Sequence, residues 1–503
     1  MAYIDLFFYL FAFFGILIFA YLSRQKQNSF QSATNSKSYP FKDVIKNRHR
    51  LLQWTCEIFE SSRPSTTINF HGPFGGGLIF TTNPSNIQHI FKTRIDIYQK
   101  GKAYTKSMTN VLGDGIFVSN GENWKTQKHL LNHYLNQNAH HKFVESITRK
   151  KLFDNMVPIL SAFAANETIF DFQKIIRRLM YDLAFQIALD FDLKYLSPAL
   201  PETVVADAFE RALEISFSRY LSIPVIWKAK RFLNKGTERE LKLAINQVRW
   251  FIEKIIMEKK EKNSSSADFC SKNQDLGEKF LVDEILNFLL ASQGTISSAL
   301  TWFFWLLSQN SDVETQIINE IEENIKEIEE KHEESRGSTS TSANNSMYKK
   351  MVYTHASLCE SMRLYPPVPS GGMDAMQDDV LPDGTIVKKG MSIMYNAYAM
   401  GRSQELWGSD YMKFRPERWL ERDVSTGEWC FVPRPSFVYP VFQAGLRVCL
   451  GRVSAFLQMK MVVCHVLRRF KVVPVVKGVE PVQISFPTLR MKEGFPVWII
   501  ERC

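Results

Sequence analysis

Cys449 is the residue of this chain best placed to do chemistry. Phe442, Gly445 and Arg447 precede it, Gly451 follows it, and an amphipathic segment starts directly afterwards. A thiolate at the start of a helix receives backbone N–H groups and the positive end of the helix dipole. Both lower its pKa and suit it to hold iron. The glycines let the backbone pass close to a flat cofactor. Arg447 offers a guanidinium to a cofactor carboxylate. A buried structural cysteine would need none of this surround.

Other candidates are weaker alone. Glu360 and Arg363 stand three apart on a helical stretch, a spacing that brings them together but is common on solvated helices. His129 and His133 have a metal-compatible spacing, yet no Glu follows the first His, and an exposed polar face explains them better. Gly75, Gly76 and Gly77 lie between β-like runs and read as a hairpin turn, not a phosphate loop. None of the seven cysteines forms a CxxC pair, which excludes zinc ribbons.

The elements that must carry these residues are mainly helical. Residues 120–330 show helical patterning, broken by polar stretches at 260–278 and 330–349. Residues 281–308 carry no charge after Glu284 and predict a long buried helix of roughly 40 Å at about 1.5 Å per residue. Its central Ser292-Gln293-Gly294-Thr295 argues for a site and against a membrane span. From 376 onward, Gly, Pro and β-branched runs predict small sheets. No internal repeat or second core signature appears.

The spacing Phe-x-x-Gly-x-Arg-x-Cys-x-Gly resembles the haem-binding loop of cytochrome P-450 monooxygenases. Three further segments, in the family's order, resemble it too: Glu360-Ser361-Met362-Arg363, Phe414-Arg415-Pro416-Glu417-Arg418-Trp419, and Trp124 with Lys128. The resemblance covers essentially the whole chain. It implies a mainly α fold with small β-sheets, the cytochrome P-450 fold, with one N-terminal transmembrane helix. It implies haem b (heme b) held by Cys449, a propionate partner in Arg447, and the aromatic Phe442 beside the thiolate, with Gly445 shaping the loop. Trp124 and Lys128 match a propionate-holding pair in which Lys replaces the usual Arg, so a point charge replaces a bidentate fork. Glu360, Arg363 and Arg418 match a structural ion network. Leu446 stands where the family usually has Pro. Electrons would come from NADPH through an NADPH–cytochrome P-450 reductase.

In the oxygen-activating helix, Thr295 matches the hydroxyl beside bound oxygen. Gly294 stands where the family has an acid that delivers protons, and Ser292 where it has Gly. Losing one relay member costs a factor of about 10²–10⁴ if nothing substitutes. Three readings follow. Water, Gln293 or a substrate hydroxyl replaces the acid and the chain is a hydroxylase. Or it performs coupling, cyclisation or desaturation without oxygen insertion. Or oxygen activation is impaired or lost, the latter making the chain a non-catalytic haem-binding membrane protein.

Several stretches resemble the plant clan of chain-end (ω) hydroxylases, whose members act on fatty acids, jasmonoyl conjugates and steroid side chains. This implies an apolar small-molecule substrate oxidised at or near a chain end. By match to the family's recognition segments, Ile116, Phe117, Ala291, Val368, Pro369, Phe486 and Leu489 line the pocket. The small residues Ser370, Gly371 and Gly372 suggest room for a ligand wider than one acyl chain.

The composition is that of a globular protein: 503 residues, 45% hydrophobic, 23% charged, net charge +10. Leu6 to Leu22 form an uncharged run, roughly 26 Å as a helix at about 1.5 Å per residue, just enough for one span. Basic residues follow it, from Arg24 to Arg50, and place that side in the cytosol. The expected organisation is an anchor at 1–26, a linker at 27–40 and a haem-thiolate domain at 41–503. The expected location is the endoplasmic reticulum membrane, single-pass, with the catalytic domain cytosolic. The basic balance suits an anionic membrane surface or an acidic partner, and no nucleic-acid motif is present.

Overall fold

The computed structural model describes residues 37–502, except 48–49, 72–76, 221, 223, 263–265, 274, 335–346 and 486. The Leu6–Leu22 run therefore lies outside the described residues. Among those described, no helix is long and apolar enough to cross a membrane. The chain divides into two compact units whose segments alternate along the sequence.

The first unit takes residues up to 101, 370–406 and 436–447. It is built on a six-stranded sheet, in the order Lys37–Pro40, Thr67–His71, Gly77–Thr81, Ser392–Asn396, Ser370–Ala375, Tyr98–Gln99. Residues 37–40, expected as the end of a linker, thus form an edge strand. Thr67–His71 and Gly77–Thr81 pair antiparallel, the hairpin expected around the triple glycine. Successive strand residues point to opposite faces. Phe80 packs with Ile68, Phe70 and helix residues Trp54 and Ile58. Its neighbour Ile79 packs with Phe91, Tyr98, Met373 and Ile393.

The second unit holds residues 102–369, 407–435 and 448–503. Its centre is the helix Glu278–Gln309, which packs against Phe172–Leu189 and is buried on nearly every side. Leu281, Ile285 and Leu289 join Phe185, Phe209 and Val248 in the core. Between Leu281 and Leu300 only Phe288, Leu290, Ala291, Ser292 and Thr295 are not buried. Four of these recur at i, i+3, i+4 and i+7, so one stripe of the helix faces open space. The other helices the site uses are Gly121–Leu135, Val352–Leu364 and Arg452–Leu467.

Candidate functional site

Cys449 stands three residues before the helix Arg452–Leu467, with Gly451 at that helix's N-cap. Desolvation pushes the thiol pKa up, while the Gly451 N–H and the Arg452 charge pull it down. The residue is nevertheless exposed. An accessible, partly desolvated sulfur beside an N–H donor is set up to become a thiolate once a metal cation supplies positive charge. A Cβ on Gly451 would stand 4.0 Å from the sulfur.

In the first unit, the segment leading to Arg447 is a chain of tight turns. Gln443 and Gly445 have φ of +61° and +57°. A side chain at Gly445 would meet the Phe91 carbonyl oxygen at 2.1 Å, so only glycine fits. Burial pushes the Arg447 pKa down to about 10. Lys100 falls to about 8, first through burial and then through the charge of Arg447. Two desolvated cations that repel one another form a setting for an anion, as a cofactor carboxylate would be. Nothing in the sequence pairs Lys100 with position 447, and sequence reasoning missed it. The cation pair of the first unit suits a haem carboxylate, and the accessible thiol of the second unit suits haem iron.

In the second unit, Lys128 lies over the Trp124 ring, 5.2 Å from its centroid. His129 and His133 are both exposed, and no metal-binding cluster exists among the described residues.

Glu360 and Arg363 are fully buried. The pair is bidentate, with Nε to Oε2 at 2.8 Å and Nη2 to Oε1 at 2.7 Å. Arg418 Nε reaches Glu360 Oε1 at 3.1 Å. The expected triad is therefore assembled. Trp419 Nε1 donates to Glu360 Oε2 at 3.0 Å, a fourth member not anticipated. Arg363 also donates to the carbonyls of Tyr411 and Lys413, and Arg418 to those of Trp407 and Asp410. The network ties this loop to the helix.

Of the expected pocket residues, Ala291 lies on the open stripe with Thr295, and Ile116 and Phe117 are partly exposed. Phe117 N–H donates to Asn287 Oδ1 at 3.1 Å, which fastens that turn to the long helix. Thr295 donates its hydroxyl proton to the Ala291 carbonyl at 2.5 Å. Val368 is exposed and Pro369 buried. Leu489 is fully buried; its carbonyl accepts from Ser298 and Trp302, and its N–H donates to Pro367. Phe486 lies outside the described residues.

These bonds seat Thr488 against Gly294. A Cβ at Gly294 would meet Thr488 Cγ2 at 3.3 Å and Oγ1 at 3.5 Å. Gln293 is buried and, at about 100° per residue, points nearly opposite Thr295, which removes it as a relay on the open face. The small residues at 371–372 also have another cause. A Cβ on Gly371 would come 2.7 Å from Tyr395 Oη, and one on Gly372 would come 2.4 Å from the Ile393 carbonyl. Sheet packing sets their size, which corrects their reading as room for ligand.

The fold is the cytochrome P450 fold. It superposes on the crystal structure of cytochrome P450DA heme domain with a TM-score of 0.70 and 17% identity, covering 91% of this chain and 93% of that one. The Cytochrome P450 family model matches residues 75–494, so the chain belongs to that family. It is 45% identical to Cytochrome P450 94A2 of Vicia sativa, over 94% of this chain and 92% of that protein. It is 39% identical to Cytochrome P450 94B1 of Arabidopsis thaliana, over 97% and 95%. The plant affinity read from the motifs therefore holds. The protein is a monooxygenase-type oxidoreductase whose family uses haem ligated by a cysteine thiolate and electrons from a reductase.

Proposed function

We propose that this chain is an NADPH- and O2-dependent monooxygenase that hydroxylates an apolar chain or side chain, of fatty acyl or steroid type, at or near its end. The observation that carries this is the half-open stripe Phe288–Ala291–Ser292–Thr295 on an otherwise buried helix. Such a stripe is what an apolar ligand would cover.

Cys449 would hold the haem iron, and the bound haem supplies oxygen activation. Arg447, Lys100, Lys128 and Trp124 would hold its carboxylates, and Phe442 and Gly445 would shape the loop. The Glu360–Arg363–Arg418 network fixes the segment between helix and cysteine loop. Ile116, Phe117, Ala291, Val368, Pro369 and Phe486 would touch substrate, while Leu489 holds the turn that carries Thr488. Thr295, its proton held by Ala291, keeps lone pairs for a proton donor on the open face. Thr488 brings a hydroxyl to the place an acid side chain at 294 would fill. Its oxygen accepts from Arg490 Nε at 3.4 Å, and Arg490 pairs with Glu210 at 2.8 Å. A hydroxyl tied to a charged pair can hold a proton where the carboxyl is absent.

The lack of an acid at 294 supports one second reading, namely desaturation or coupling without oxygen insertion. The two units interleave along residues 41–503, which supports one haem-thiolate domain behind the anchor. Membrane association rests on the N-terminal run and on helix Pro224–Phe232. There Val225, Ile226 and Phe232 are exposed beside Lys228, Lys230 and Arg231, a composition suited to an anionic lipid surface. We place the chain in the endoplasmic reticulum membrane, with NADPH–cytochrome P-450 reductase as its electron donor.

The test is product mapping in yeast microsomes that carry this chain and a plant reductase. Fatty acids, jasmonoyl-isoleucine and sterols are supplied with NADPH. A hydroxyl at or next to a chain end is expected. Attack in mid-chain, or on a ring, would overturn the proposal.

A further inference from the structure

Glu284 lies one turn before Phe288 on the long helix and is 2% exposed. Neither of its carboxyl oxygens has a hydrogen-bond partner among the described residues. The polar groups around it are committed elsewhere. Asp283 pairs with Arg249 at 2.7 Å and accepts the Asp114 N–H at 3.1 Å. Lys279 pairs with Asp114 at 2.7 Å. Asn287 bonds to Phe117 N–H and to the carbonyls of Leu112 and Asp283. Burial and then the charge of Asp283 raise the Glu284 pKa to about 7; the nearby Ile116 N–H, outside hydrogen-bond geometry, opposes them. Leaving a buried polar group unsatisfied is costly, so the position asks for a reason.

Its place on the helix supplies one. At about 100° per residue, Glu284, Phe288, Ala291 and Thr295 form one stripe. Glu284 stands at its end, beside Ile116 and ~16 Å along the axis from Thr295 at about 1.5 Å per residue.

We infer that Glu284 docks the remote, non-reacting end of the substrate, and that this end carries a hydroxyl or amide. The inference rests on reading the stripe as the substrate pocket. A protonated carboxyl donates through its O–H and accepts through its carbonyl, and a hydroxyl or amide matches both. An ionised carboxylate would meet the charge of Asp283, while Arg249 and Lys279 are already paired. An ammonium group would bury a charge pair, whose desolvation offsets its attraction. The binding site thus selects an apolar molecule with a neutral polar head.

The test uses full-length holoenzyme in microsomes at neutral pH, as parent, Glu284→Gln and Glu284→Leu. The ligands share one dodecyl chain and end in a carboxylate, an alcohol, a primary amide or a trimethylammonium group. The ligand-induced shift of the haem absorbance gives each Kd. The alcohol and amide are expected to bind the parent about tenfold tighter than the carboxylate. Glu284→Leu removes that preference by weakening the alcohol and amide. Glu284→Gln keeps both and tightens the carboxylate, and it decides the matter if Glu284→Leu yields no holoenzyme. Unchanged alcohol and amide affinities in Glu284→Leu would overturn the inference. So would an unchanged carboxylate affinity in Glu284→Gln, or tightest parent binding by the carboxylate or the trimethylammonium chain. If ligands shift the spectrum but the variants match the parent, only the docking role of Glu284 fails. If no ligand shifts it while the reduced carbon monoxide complex shows an intact haem thiolate, the pocket reading fails as well.

Discussion

At position 294 the chain has a hydrogen atom where an acid is expected, and two small effects oppose one another there. Replacing an interior helical glycine gains about 1 kcal/mol of helix propensity. Displacing Thr488 from 3.3 Å costs a comparable amount. Gly294→Asp is therefore expected to change stability by no more than about 1 kcal/mol, read as thermal unfolding of the holoenzyme. It is also expected to raise the ratio of product formed to NADPH consumed. A lower ratio would show that Thr488 already serves better than a carboxyl. Cys449→Ala is expected to abolish the red-shifted band of the reduced carbon monoxide complex, and retention of that band would place the iron ligand elsewhere. Cys449, Arg447 and Thr295 stand out in the sequence because the residues that mark them lie within a few positions. Lys100 and Thr488 do not, since only folding brings them to Arg447 and Gly294.

Among the elements, the loop 407–419 depends most on one side chain. Glu360 accepts from Arg363, Arg418, Trp419 and the Arg415 N–H. Removing it leaves the fully buried guanidinium of Arg363 without its counter-charge, a loss of about 3–5 kcal/mol. Glu360→Ala is expected to lower haem-loaded yield and unfolding temperature sharply. Arg418→Ala should do less, because the Glu360–Arg363 pair survives it. Equal losses would mean the three act as a single unit. The helices were legible from periodicity: 281–308 was expected and Glu278–Gln309 is observed. The sheet was not, because it joins strands from two stretches of chain far apart in sequence, 37–99 and 370–396. Nor was the cause of the small residues at 371–372, which answer to a strand paired across that sheet.

For the molecule as a whole, the buried histidines make the fold sensitive to acid. Burial lowers the pKa of His140 to about 4, of His355 to about 3 and of His465 to about 4. The fold prefers each histidine neutral, so the unfolded chain takes up protons first. Stability is then fully present above about pH 6.5 and falls as pH drops towards 4, by about 2 kcal/mol per histidine at pH 5. His355 sits against the rings of Phe431 and Phe456. His355→Phe keeps an aromatic ring there, so its unfolding temperature should fall less between about pH 7 and about pH 5 than the parent's. Parallel declines would assign the acid sensitivity to other groups. The central claim concerns oxygen, and isotopically heavy dioxygen tests it most directly. Microsomes with the chain, a reductase and NADPH are given the substrate panel under this gas, and product mass is measured. Product that carries one heavy oxygen atom is the predicted result. Product that has lost hydrogens and carries no heavy oxygen would contradict it and establish the desaturating or coupling chemistry instead.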